Sequence, residues 1–256
     1  MTADGSQFYT LASGSRRRRR FLLLQQQEEE SAASSHTSSA GDFRIASSTA
    51  AEDRNGVLLV RDMLEDAAPR TWLFTGDTLG FDARKSKRGW VEFFSDAIKV
   101  ELQRRLDVVL DTSVRDSLVS TLRRNADWRI LRFQPDVVFL MLSPREVAAA
   151  ETGHKRFQID LTKLVERLEE EGTVAALCTP PTIAGPDDPP EDLAAYIEII
   201  REVAARTDAI LIDHWQHWRQ ANSLTGLLDG SPARPNFAGH QKLAGHLLKT
   251  LGIGSH

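Results

Sequence analysis

Hydroxyl, carboxylate and guanidinium groups recur at the ends of short apolar runs. Gly76-Asp77-Thr78 follows one run, and Asp111-Thr112-Ser113-Val114-Arg115-Asp116 follows the next. Ser143-Pro144-Arg145-Glu146, Thr179-Pro180-Pro181 and Asp213-His214 follow three more. Asp229 through Asn236, then Gly239-His240, precede a final helical pattern. A hydroxyl such as that of Thr78 attacks a carbonyl near neutral pH only when a base takes its proton. Arg145 and Arg234 can hold a carboxylate or phosphate with paired N–H donors. Asp77, Asp116 and Asp229 could neutralise those arginines instead. Residue types of this kind leave hydroxyl chemistry, anion capture by the arginines, or a buried ion-pair network open.

The elements between these residues alternate. "RTWLFTGD", "LDVVLDT", "PDVVFLML", "TVAALCTPP" and "DAILID" read as short apolar strands. "GVLLVRDML" and "WVEFFSDAIKVELQRR" have helical spacing, and residues 114–127 are expected to be helical. "DLTKLVERLEEEG" reads as a helix closed by Gly172. "PEDLAAYIEIIREVAART" and "FAGHQKLAGHLLKTLG" are two more. Strands apolar on both faces belong in a parallel sheet covered on both sides. Right-handed crossovers then predict an α/β protein, a three-layer α/β/α sandwich around a five-stranded parallel sheet. In such sheets ligands sit beyond the carboxyl ends of the strands, where the residues above fall.

Charge and composition narrow the classes. The chain has 256 residues, with 32 basic and 36 acidic side chains, and a formal charge of −4. That balance argues against general nucleic-acid affinity, which needs clustered positive charge. Hydrophobic residues make up 41% of the chain, enough for a core. Cys178 is the single cysteine, so an intramolecular disulfide is ruled out. Residues 1–55 differ from the rest: Ser-rich, with runs of Arg16–Arg20, Gln25–Gln27 and Glu28–Glu30. They carry seven basic and seven acidic residues, so the whole net charge belongs to residues 56–256. The composition predicts a disordered tail followed by one folded domain over 56–256. Arg18-Arg19-Arg20-Phe21-Leu22 resembles a twin-arginine export signal. Gln25–Glu30 interrupts the apolar region of roughly 7–15 residues that export needs, and a cytoplasmic location is expected. No apolar run in the tail approaches the roughly 20 residues of a transmembrane helix. The five arginines before "FLLL" remain a candidate contact segment for anionic lipid or nucleic acid, with a solvated extension as the simpler reading.

Several nucleotide readings fail. "GDTLGF" after the first strand lacks the Gly-x-Gly-x-x-Gly of a dinucleotide fold, and no Gly-Lys-Ser/Thr phosphate loop occurs. A receiver domain would want an aspartate ending strand three and a lysine ending strand five, where Ser143 and His214 stand.

Four segments in order resemble another family. "WLFTGDTLG", "VVLDTSVRDSLVSTL", "PDVVFLMLSPRE" and "LLDGSPARPNFAGHQKLAGHL" resemble the blocks of the SGNH (GDSL-type) hydrolases, between Thr71 and Gly252. The resemblance implies a flavodoxin-like SGNH-hydrolase sandwich and cleavage of esters, thioesters or acetyl groups. It also exposes departures. The nucleophilic serine falls on Thr78, the oxyanion-hole glycine on Asp116 and the oxyanion-hole asparagine on Arg145. The catalytic histidine falls on Arg234, immediately before Pro235-Asn236, and its partner aspartate on Ser231. Asp229-Gly230 resembles the start of the same block, but two extra residues precede Arg234.

The losses are unequal. Threonine keeps a hydroxyl, although its branched carbon stiffens the side chain. Arg145 can still donate to an oxyanion, whereas the Asp116 carboxylate would repel one. Losing one oxyanion donor typically costs about 10²–10³ in rate. Losing the histidine base costs on the order of 10⁶ in a serine protease using the same logic. Arginine cannot replace it, because it stays protonated. His240 is a weak candidate substitute. His214 and His217, beside Trp215 and Trp218, read as surface or half-buried packing residues, and His154 reads as a solvated loop residue. No short histidine pair with a further ligand occurs, so no metal and no cofactor are expected. The leading expectation is a catalytically degenerate, pseudo-hydrolase member of the family. It would bind a small-molecule or anionic ligand through Asp77, Arg145, Arg234 and Asp229, or act as a scaffold for a protein partner. The alternatives are an atypical ester hydrolase using Thr78 with a relocated base, and a purely structural interaction domain.

Overall fold

Side-chain alternation along the strands sorts the core into two layers. The computed structural model describes residues 49–77, 88–115, 117–142, 150–181, 191–220, 224, 226–229 and 234–253. Of the tail predicted to be disordered, residues 1–48 lie outside these residues, whereas residues 49–55 are helical and not disordered. The chain divides into two units, Met1–Ser47 and Ser48–His256, and the second carries every element described below. Strands β1 (Thr71–Gly76), β2 (Val108–Asp111), β3 (Val137–Met141), β4 (Val174–Cys178) and β5 (Ile210–Ile212) form one sheet in the order β2-β1-β3-β4-β5. All of its pairings are parallel, with Trp72 beside Val137 and Gly76 beside Met141.

The helices among the described residues are α1 (Thr49–Glu65), α2 (Trp90–Asp96), α3 (Val119–Arg124), α4 (Ala126–Arg129), α5 (Ala150–Glu170), α6 (Glu191–Arg206), α7 (His214–Arg219) and α8 (Phe237–Thr250). A two-stranded antiparallel hairpin, β6 (Leu228–Asp229) and β7 (Arg234–Pro235), precedes α8.

Trp72 and Phe74 of β1, Phe139 of β3 and Cys178 of β4 pack toward α1, α2 and α8, against Val60, Phe94, Leu243 and Leu247. Leu73, Val138, Leu140 and Leu177 point the other way, onto Leu122 of α3, Leu161 and Leu164 of α5, and Ile200 of α6. This is the three-layer sandwich that the alternating pattern predicts. Each fully buried leucine or phenylalanine contributes about 1.5–3 kcal/mol. Phe74 anchors an aromatic cluster, stacking on Phe139 at 4.5 Å and meeting Trp90 edge-on at 4.9 Å.

Gly172 closes α5 as expected. Its φ of +75° is the left-handed geometry that favours glycine. Gly172 N–H donates to Glu169 O, and Thr173 N–H donates to Leu168 O, a Schellman closure.

Three local expectations are corrected. The predicted helix over 114–127 begins only at Val119. Ahead of it, Ser113 N–H turns onto Asp111 Oδ1 and Val114 N–H donates to Gly76 O, which hold the backbone off the helical path. The helix starting at Trp90 was expected to run to Arg105. It instead passes into a π-helical turn, Ala97–Glu101, and the chain reverses at Gln103 with φ +57°. Arg104 is the reason. Its Nε donates to Asp107 Oδ2 (2.9 Å), Nη1 to the carbonyls of Leu64 (3.0 Å) and Asp66 (2.7 Å), and Nη2 to that of Ala68 (2.8 Å). Asp107 Oδ2 also accepts from Trp72 Nε1, and Asp107 Oδ1 from Arg70 N–H. Finally, α5 starts at Ala150 rather than Asp160, so His154 is a half-buried helical residue and not a loop residue. Phe157, Leu161, Leu164 and Leu168 share one buried face, and that apolar stripe carries the helix past Asp160.

Among the described residues no helix is long and apolar enough to cross a membrane.

Candidate functional site

The site is assembled from the turns that leave the sheet. β1 ends at Gly76 with φ +106°, and a Cβ there would lie 2.0 Å from the Met141 carbonyl oxygen. Only glycine fits this approach. It lets Asp77 N–H donate to Met141 O over 2.8 Å, so the turn is pinned to β3. Asp77 itself is buried. Thr78, the residue after it, lies outside the described residues, as do Asp116, Arg145 and Ser231.

The segment after β2 is tied to the same turn. Thr112 donates to Phe74 O from both its N–H (2.8 Å) and its hydroxyl (3.3 Å). Arg129, at the end of α4, reaches in from the opposite helical layer. Its Nη1 donates to Ser117 Oγ at 2.8 Å, and Nη2 to Thr112 O at 2.7 Å and Thr75 Oγ1 at 3.4 Å. Burial pulls its pKa below the ordinary arginine value. Sequence reasoning passed over Arg129, because nothing local marks an arginine 17 residues from the carbonyl it holds.

At the other edge, Thr179 after β4 donates to Asp213 Oδ1 and accepts from Trp215 N–H. Asp213 Oδ1 also caps α7 by accepting from Gln216 N–H, an ordinary N-cap role. Its Oδ2 takes two donors from Arg201, at 2.8 Å each. Burial opposes the Arg201 charge, but Asp213 and Glu198 outweigh it and hold the pKa above its ordinary value. This region is a structural knot of β4, β5, α6 and α7.

The last block explains its own signature. Asn236 caps α8, its Oδ1 accepting from Gly239 N–H at 3.1 Å. Asn236 Nδ2 donates back to Gly226 O at 2.9 Å and to Asp229 Oδ1 at 3.4 Å. Gly239 is required for close approach, since a Cβ there would lie 2.3 Å from Leu227 O. The Asn-x-x-Gly-His spacing is therefore a cap, a close contact and a buried ring.

β6 and β7 place Asp229 directly opposite Arg234. That pairing is through the backbone. The Asp229 carboxylate turns to Asn236, and the half-buried Arg234 guanidinium has no hydrogen bond or ion pair among the described residues. Of the pocket residues expected from sequence, the described set thus includes Asp77, Asp229 and Arg234.

The histidines lie elsewhere. His240 is buried at 1% exposure, and burial pushes its ring down to about 4. His214, expected to be at most half-buried, is fully buried, with Nδ1 3.0 Å from His246 Nδ1. His217 stacks on His246 with centroids 4.1 Å apart. His246 went unnoticed in the sequence, where 32 residues separate it from His214. Among the described residues no group of three His, Cys, Asp or Glu side chains could hold a metal ion.

Comparison with known proteins agrees with this fold. Residues 75–242 match the model of the GDSL-like lipase/acylhydrolase family. Solved structures with the same fold include LAE5, an alpha/beta hydrolase enzyme from the metagenome of Lake Arreo, Spain. It is 20% identical, with 75% of this chain and 100% of that chain covered and a TM-score of 0.63. A variant of Axe2, an acetyl xylan esterase from Geobacillus stearothermophilus, is 18% identical over 75% of this chain and 99% of its own, with a TM-score of 0.63. The acetyl xylan esterase AlAXEase is 20% identical over 70% and 98%, with a TM-score of 0.61. At these identities the structural likeness shows the fold. No curated protein matches the chain.

Proposed function

Because the chain belongs to the GDSL-like lipase/acylhydrolase family, we propose that it keeps the family's frame without the family's ester-cleaving set, and that its cleft binds an anionic ligand. The observation that carries this reading is Arg234. It takes the position that the resemblance gives to the catalytic histidine, and its guanidinium is unpaired among the described residues. A half-buried cation with no counter-charge among the described residues favours an anion from outside the chain, and a guanidinium suits a carboxylate or phosphate. It cannot accept a proton from Thr78, because it stays protonated. The described histidines offer little in its place. His214 and His246 are engaged with each other, and His240 sits in the core as a weak base. Arg145 is proposed as the second anion contact, with Asp77 and Asp229 limiting how much negative charge the pocket accepts. Thr78 and Asp116 are proposed as remnants of the nucleophile and oxyanion positions.

The test pairs two measurements on the full chain. Hydrolysis of a small activated ester is followed with wild type and Thr78→Ala. Acetate, phosphate and sulfate are titrated calorimetrically into wild type, Arg234→Ala and Arg145→Ala. The expected result is no Thr78-dependent turnover, with anion binding to wild type weakened at least about tenfold in Arg234→Ala. Turnover lost in Thr78→Ala overturns the degenerate reading in favour of an atypical hydrolase. Equal binding, or none, in all three proteins overturns the anion site.

A further inference from the structure

Three histidines on two helices meet where β5 hands over to α7. His214 opens α7, His217 lies three residues further along the same helix, and His246 comes from α8. The His214 ring is fully buried, and its Nδ1 lies 3.0 Å from His246 Nδ1. His217 lies flat on His246, its ring plane within 2° of parallel. Trp90 of α2 meets the His214 ring edge-on at 5.9 Å.

A contact of 3.0 Å between two ring nitrogens is a hydrogen bond only with one proton between them. The other His214 nitrogen decides which ring supplies it. His214 Nε2 is buried with no hydrogen-bond partner among the described residues. An N–H stranded there would lose its solvation for nothing. We propose that His214 donates from Nδ1 to His246 Nδ1, and that this neutral, single-proton clip ties α7 to α8 and opens in acid.

The opening follows from the chemistry of the acceptor. A proton added to His246 enters at Nδ1, since Nε2 already carries one in this tautomer. Two N–H groups then face each other where one bond stood. The surroundings do not compensate the new charge. Lys242 and Lys249 of α8 act on both His217 and His246 with the same sign. Asp213 is the carboxylate that opposes them, and it is already held by Arg201, Thr179 and the α7 cap. Burial first, then His217 and the two lysines against Asp213, push His246 down to about 4, while burial first, then His246 and His217, hold His214 well below its ordinary value.

Nitrogen-15 NMR of the full-length protein, labelled at histidine, reads the tautomers near neutral pH. His214 is expected as the Nδ1–H form and His246 as the Nε2–H form. Urea unfolding of wild type and His246→Gln between pH 7.5 and pH 5 reads the acid response. The glutamine oxygen can accept from His214 at either pH, so the variant should lose less stability. The difference is expected to be about tenfold in folding equilibrium, after allowing for solvent screening of a partly exposed ring. An Nε2–H form of His214, or a His246→Gln protein with the wild-type pH response, overturns the clip. Should the variant fail to fold, the wild-type tautomers decide.

Discussion

The Arg129 guanidinium lies 2.7 Å from the Thr112 carbonyl and, through its other terminal nitrogen, 2.8 Å from the Ser117 hydroxyl. One side chain thus ties both ends of the segment that follows β2, the segment that contains Asp116. Arg129→Ala is expected to destabilise the domain by about 2–3 kcal/mol, the range for charged hydrogen bonds lost to partly buried partners. Arg129→Lys should recover only part, because an ammonium cannot span both acceptors as a planar fork does. Urea unfolding measures the loss. Hydrogen exchange at residues 113–117 separates a clamp from general stabilisation: exchange there should speed up more than in β3. Equal acceleration in both places counts against the clamp.

Two glycines predict opposite outcomes for the same substitution. At Gly76 a methyl group would meet the Met141 carbonyl at 2.0 Å, with φ at +106°. Gly76→Ala should cost more than about 3 kcal/mol, or prevent folding, since both backbone strain and a backbone clash oppose it. At Gly245, within α8, nothing lies within 4 Å of the added carbon. Gly245→Ala should stabilise by about 0.5–1 kcal/mol through helix propensity alone. Thermal melts of the two variants beside wild type provide the comparison.

Acid should unfold this domain through its histidines. His214, His240 and His246 are all held below their ordinary value, chiefly by burial, with His240 and His246 at about 4. Between the ordinary histidine value near 6.5 and about 4, the unfolded chain therefore binds more protons than the folded one. Stability is full above that window and falls as pH drops through it. His240→Gln should flatten the fall without touching the His214–His246 contact. The check is the urea midpoint followed from about pH 7.5 to about pH 4.5. A variant as acid-sensitive as wild type removes His240 from the account.

Cys178 should be silent in the native protein. It is fully buried in β4, and burial pushes its thiol up, away from the reactive thiolate. An aromatic disulfide reagent should label it only as fast as the domain unfolds. Rapid labelling at low denaturant would mean that β4 opens locally.

The strands were legible because burial on both faces leaves a continuous apolar run, as in "PDVVFLML", that no helix or loop needs. Gly172 was legible because a helix end asks for a left-handed residue. The helix over 114–127 was misread because its start is set by distant partners: Gly76 for Val114, and Arg129 for Thr112 and Ser117. The π-helical turn after α2 was hidden for the same reason, its cause being carbonyls some 40 residues earlier that Arg104 gathers. At the candidate site, Gly76-Asp77 and Asp111 stand at the strand ends where the spacing puts them. The direction of each charge does not follow from spacing, however. Asp229 stands opposite Arg234 and yet turns to Asn236. His246 was missed as a partner of His214, because a contact across 32 residues leaves no local trace.

The hold of Arg104 on the carbonyls of Leu64, Asp66 and Ala68 has a consequence for where the chain can be cut. These carbonyls lie at the end of α1 and in the link to β1, so a shortened chain starting at Thr71 would strip one guanidinium of three acceptors at once. It would also remove Val60 from the face of the sheet. Helix α1 is thus part of the cover of one sheet face, and trimming studies should begin upstream of Thr49.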